Sequence, residues 1–134
     1  MTITVKRDAS RLGLRHTVSI RNHGIAVDAS PAAGGEDAGP EPHDLYDAAL
    51  GACKALTVLV YAKRKGIPVD GIEVAIDRDD SGERQGAYKL TAALRLTGAL
   101  SESQREELLR VAGKCPVHRL MTEVKTEIET VWAA

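Results

Sequence analysis

A chain of 134 residues is the length of one domain, or of one subunit of an oligomer. With 18 Lys and Arg against 19 Asp and Glu the formal net charge is −1, which argues against a nucleic-acid binder or a polybasic membrane-surface binder. Aromatic residues are 3% of the chain and Phe is absent, so a base-stacking platform is not expected either.

The N-terminal residues Met1-Thr-Ile-Thr-Val-Lys-Arg-Asp8 alternate at period two and contain no apolar h-region. They predict a strand over residues 2–7, and Leu14 to Ile20 alternates again after Gly13. Asn22-His23-Gly24 reads as a turn into a third short strand, Ile25 to Val27, paired with the second as a hairpin. Residues 30–42 are rich in Gly, Pro and Ala and read as loop.

A long helix follows. Pro42-His43-Asp44 marks its start, and Lys63-Arg64-Lys65-Gly66 its end, with charges of the sign the helix dipole favours at each terminus. From Ala48 to Ala62 the only charge is Lys54, so most faces of this helix need cover. In a chain this short a partner subunit is one way to supply it. That stretch falls short of the roughly 20 apolar residues needed to span a bilayer, and a cytoplasmic location is expected.

Gly71 to Asp77 and Tyr88 to Leu96 alternate as strands around a charged turn, Asp79 to Gly86. Ser101 and Gln104 have capping-box spacing at the head of a helix that ends near Gly113. Pro116 then suits the first turn of a short helix with Cys115 as its N-cap. Glu123 to Trp132 alternates once more and predicts a final strand. Hairpins of strands separated by helices give an α+β fold with a largely antiparallel sheet. No linker is long enough to divide the chain, so residues 1–134 are expected to form a single domain.

The chemistry is concentrated at Cys53 and Cys115. A thiol at a helix N-terminus, with His118 and Arg119 one turn on, has the electropositive surroundings that favour thiolate; the bland alternative is a cysteine that caps a helix or fills a gap. Cys53 lies mid-helix after Gly51, which costs roughly 1 kcal/mol there relative to Ala and so suggests close approach of another element. Together the two cysteines can serve as attacking and resolving thiols. Cys115-x2-His118 also has ligand-like spacing for zinc, but Cys53 has no ligand beside it, and no metal is expected.

Gly39-Pro-Glu-Pro-His-Asp-Leu-Tyr-Asp-Ala-Ala-Leu-Gly-Ala-Cys53, with Tyr61-Ala-Lys-Arg-Lys-Gly66 after it, resembles the first cysteine helix of the OsmC/Ohr family, the osmotically inducible and organic hydroperoxide resistance proteins. Leu96 to Ser101 and Lys114-Cys-Pro-Val-His-Arg119 are similar to its second cysteine segment. The resemblance implies an intertwined homodimer, with long central helices between curved, largely antiparallel sheets. It also implies a thiol peroxidase for organic hydroperoxides that needs no cofactor. Cys53 would be the peroxidatic cysteine and Cys115 the resolving one, their disulfide reduced by a lipoyl-bearing or small-molecule dithiol. Family members carry Glu ten positions before the first cysteine, where this chain has His43, followed by Asp44. They also set an N-terminal arginine against the thiolate; among Arg7, Arg11, Arg15 and Arg21, Arg15 is the candidate. Cys53, Cys115, Arg15 and Asp44 are thus the expected catalytic residues, with His43 and Leu50 at the substrate. The competing reading is a non-catalytic dimeric protein that binds a ligand or senses redox state.

Overall fold

In the computed structural model, which describes residues 1–9 and 12–134, strands and helices follow the predicted order as far as residue 122. Arg11, one of the four candidate arginines, lies outside the described residues. The chain forms two compact units, Met1–Ala48 and Ala49–Ala134.

In the first unit β1 (Ile3–Arg7), β2 (His16–Ile20) and β3 (His23–Val27) form an antiparallel sheet in that order. Val5 pairs with Val18 and Val18 with Ile25, so the three strands keep one apolar row in register. The hairpin turn is Arg21-Asn22, with Arg21 at φ 53°, rather than the expected Asn22-His23-Gly24. His23 and Gly24 already pair with Ile20 and Ser19; neither residue has an apolar side chain to announce the strand.

The loop after β3 is closed by Asp28, whose buried carboxylate accepts backbone N–H groups from Ala29, Glu36 and Ala38 at 2.8–3.1 Å. At the loop's far end the Asp44 carboxylate accepts the N–H of Glu41 at 2.9 Å, tying down the approach to α1 (Pro42–Lys65). This helix begins in the first unit and continues through the second. Lys63, Arg64 and Lys65 occupy its last turn, and Gly66 at φ 70° ends it, as the sequence predicts.

In the second unit β4 (Gly71–Asp79) and β5 (Lys89–Thr97) form an antiparallel hairpin. Ile72 pairs with Leu96, Val74 with Leu94 and Ile76 with Ala92, all on the less exposed face; Glu73 and Arg95 pair on the other. The less exposed face meets α1 closely: a Cβ on Gly51 would lie 3.1 Å from Ile76 Cγ1. This is the close approach that a glycine in a helix interior suggested. The α2 helix (Glu102–Ala112) starts in a complete capping box, Ser101 Oγ accepting from Gln104 N and Gln104 Oε1 from Ser101 N. Leu108 and Ala112 of α2 pack with Val58 and Ala62 of α1 and with Ile67, flanked by Ile72, Leu94 and Leu96. The short α3 helix (Pro116–Thr122) follows with Cys115 at its N-cap.

The expected final strand does not form. Residues 125–134 have no regular secondary structure, and Ile128, Val131 and Trp132 are exposed. Alternation supplies an apolar row, but a strand also needs a neighbour's N–H and C=O groups. Among the described residues no strand pairs with this segment.

By length and composition α1 could cross a membrane. One of its faces instead lies in the core of the second unit, while Leu56, Leu59 and Val60 remain exposed.

Two substitutions test this packing. Leu108, fully buried, should lose about 2–5 kcal/mol of stability when replaced by Ala, read from urea unfolding. Gly51→Val places two methyls and a Cβ against Ile76 and should cost about 1–3 kcal/mol by overpacking; unchanged stability would mean that β4 does not press on the helix there.

Candidate functional site

The two cysteines lie in the second unit, both as free thiols. Cys53 is on α1, half-buried, with Leu50 buried one turn before it. Its sulfur accepts the backbone N–H of Val117 at 3.4 Å and lies 3.9 Å from Thr57 Oγ1. Cys115 is fully buried. As N-cap of α3 it has extended dihedrals (φ −65°, ψ 146°), and Pro116 supplies the first helical residue without needing an N–H partner. Its carbonyl accepts Arg119 N–H, whereas its thiol makes no capping hydrogen bond. The sulfur is therefore not spent on holding the helix end.

The surroundings of the thiols differ from the sequence expectation in one respect. His118 and Arg119 were expected to act as cations beside Cys115. Arg119 is instead largely exposed and pairs with Glu123 at 3.5 Å. His118 Nδ1 lies 3.0 Å from Lys54 Nζ, and the ammonium also donates to the Ala112 carbonyl at 2.9 Å. An ammonium has no acceptor capacity, so His118 Nδ1 is the acceptor and its proton resides on Nε2. The cation here is Lys54, only 5% exposed. Its signal was present in the sequence: it is the one charge between Ala48 and Ala62. A charge in such a stretch is buried only with hydrogen-bonding partners. Neither Ala112, which contributes a backbone carbonyl, nor His118 could be identified as those partners from spacing alone.

Beyond Thr57 an open groove of 480 Å³ is lined by Thr57 and Tyr61 of α1 with Glu107, Arg110, Val111 and Lys114. The Tyr61 hydroxyl donates to the Glu107 carboxylate. That bond, with burial and the Glu107 charge adding to it and Arg110 opposing, holds the phenol above its ordinary pKa. Lys65 Nζ stands 5.7 Å from the Tyr61 ring centroid.

The remaining predicted site residues belong to the first unit. Arg15 pairs with Asp8, its Nε 3.2 Å from Oδ2. His43 and Asp44 are exposed in the first turn of α1. No group of three His, Cys, Asp or Glu side chains suited to a metal occurs among the described residues, and the only metal-like pair the sequence offered, Cys115 and His118, has His118 Nδ1 turned to an ammonium.

This arrangement of strands and helices is found in known structures. An OsmC-like protein from Mycoplasma pneumoniae is 20% identical, covers 92% of this chain and 87% of its own, and superposes with a TM-score of 0.73. An organic hydroperoxide resistance protein OsmC from Legionella pneumophila is 20% identical, with 92% and 90% coverage and a TM-score of 0.62. The organic hydroperoxide resistance protein OhrB of Bacillus subtilis is 25% identical, covers 92% of each chain and has a TM-score of 0.59. No curated protein matches the chain. The OsmC-like protein family matches residues 34–130, a stretch that contains both cysteine segments. The chain belongs to the OsmC family.

Proposed function

We propose that this protein is a thiol peroxidase for organic hydroperoxides, acting as a single-domain subunit of a homodimer in the reducing cytoplasm. The observation that carries this reading is the bond from Val117 N–H to Cys53 Sγ, which sets the backbone just after Cys115 against the first thiol. Membership of a family with organic hydroperoxide resistance proteins among its structural relatives supports a role in peroxide stress.

The Cys53 thiolate attacks one peroxide oxygen. An S–O bond forms, the O–O bond breaks, and the departing alkoxide takes a proton to give the alcohol, leaving Cys53 as sulfenic acid. The Cys115 thiolate then attacks the Cys53 sulfur, and the hydroxyl leaves as water once protonated. An external dithiol, lipoyl-bearing or small, reduces the resulting disulfide and is itself oxidised. Leu50, buried one turn before Cys53, is assigned to the apolar end of the substrate. Arg15, Asp44 and His43 keep the parts that the family resemblance gives them: the first two in activating the thiolate, His43 at the substrate.

The exposed apolar surface supports the dimer. Leu56 and Val60 are 63% and 51% exposed on the central helix, one turn apart, an apolar face that a second copy would cover.

One equivalent of cumene hydroperoxide should remove both thiols of the reduced protein with the loss of two hydrogens in intact mass. Cys53→Ser should abolish the change, and Cys115→Ser should stall at sulfenic acid or go on to higher oxides. Two thiols left unreacted in the parent would overturn the peroxidase reading for that substrate. Leu56→Asp should weaken self-association by at least about tenfold in sedimentation equilibrium, the loss expected when charge enters an apolar interface; a parent that sediments as a monomer would remove the dimer.

A further inference from the structure

The Lys54 ammonium binds two points on either side of Cys115. Ala112, whose carbonyl it holds, lies three residues before that cysteine, and His118, whose Nδ1 it holds, three residues after. The segment 112–118 is thus gripped at both ends by the residue next to Cys53. Adjacent helical residues project about 100° apart, so Cys53 and Lys54 leave α1 in different directions and meet adjacent residues of α3. Cys53 takes the N–H of Val117, and Lys54 the ring of His118. A single bond would leave the segment free to pivot, whereas these contacts fix it at several points.

The chemistry of each partner suits a cation. Ala112 is the last residue of α2, where carbonyls lack intrahelical partners and carry the negative end of the dipole. His118 offers a neutral ring nitrogen. The other charged groups on these faces have partners or positions of their own: Glu107 holds Tyr61, Arg119 pairs with Glu123, and Arg110 and Lys114 line the groove beyond Thr57.

We propose that Lys54 is a positioning residue for the thiol pair: its buried ammonium clasps Ala112 and His118 and so holds the Cys115 segment in register with Cys53. The inference rests on reading Cys53 and Cys115 as the reacting thiols. It concerns their mutual placement, so it can be tested without a peroxide.

The test equilibrates the reduced full-length protein with glutathione redox buffers. Two protein thiols and one glutathione disulfide give one protein disulfide and two glutathione thiols, and the equilibrium constant measures the effective concentration of one thiol at the other. Lys54→Met keeps the unbranched stem as far as the ε position and removes the ammonium; it should lower that effective concentration about tenfold, as expected when orientation is lost. His118→Leu should fall to a similar level, whereas His118→Asn, which retains an acceptor for the ammonium, should stay within about twofold of the parent. If Lys54→Met does not fold, as judged by circular dichroism, the two His118 variants decide. Equal constants for His118→Leu and His118→Asn, or for Lys54→Met and the parent, would overturn the proposal, as would a parent that forms no Cys53–Cys115 disulfide. A parent that closes the disulfide with glutathione yet ignores peroxides would sink the peroxidase reading and leave the clasp standing.

Discussion

A buried ammonium in an apolar helix dictates much of what surrounds it. Removing one partner from a buried charge costs about 3–5 kcal/mol, several times what an exposed ion pair contributes. Lys54 therefore requires acceptors wherever α1 is covered, and it finds them in the terminal carbonyl of α2 and the ring of His118. The apolar contacts of Val58 and Ala62 with Leu108 and Ala112 supply the free energy of packing, but they are non-directional. The hydrogen bonds from Lys54 have direction. They choose which turn of α2 and which face of α3 lie beside the cysteine helix.

That division of labour suits a site with two sulfurs at different depths. Cys53 is half-buried and lies 3.9 Å from Thr57 Oγ1 at the groove wall, whereas Cys115 is wholly covered. Differences in exposure, rather than in residue type, separate the two thiols. The helix that buries Lys54 and Val58 leaves Leu56 and Val60 exposed, so its sequence serves a core on one side and an apolar surface on the other.

Much of this was legible in the residues. The α2 helix and its capping box, the end of α1 at Gly66, Cys115 as N-cap before Pro116 and the β4–β5 alternation follow from local rules of hydrogen bonding and periodicity, and the structure has each of them. Gly51 even signalled the pressure of Ile76. The expectations that failed depended on something not local. The strand over Glu123 to Trp132 lacks a neighbour to pair with among the described residues. The beginning of β3 was masked because His23 and Gly24 earn their place by pairing rather than by apolarity. His118 looked like a cation by composition and is an acceptor by contact, because the residue opposite it comes from 64 positions away.

The loop after β3 shows how composition can mislead about stiffness. Between Asp28 and Pro42 the chain is full of Gly, Pro and Ala, a mixture associated with floppy connections. Yet one buried carboxylate gathers three of its N–H groups, Asp28 N–H reaches the Pro40 carbonyl, and Ser30 N–H is held by Glu41. A protease must draw a segment of backbone out into extended form before cutting it. Here that requires stripping the ligands from Asp28 and leaving its charge uncompensated. The loop is thereby a poor target for nicking, and the long helix that carries Cys53 stays joined to the sheet that precedes it.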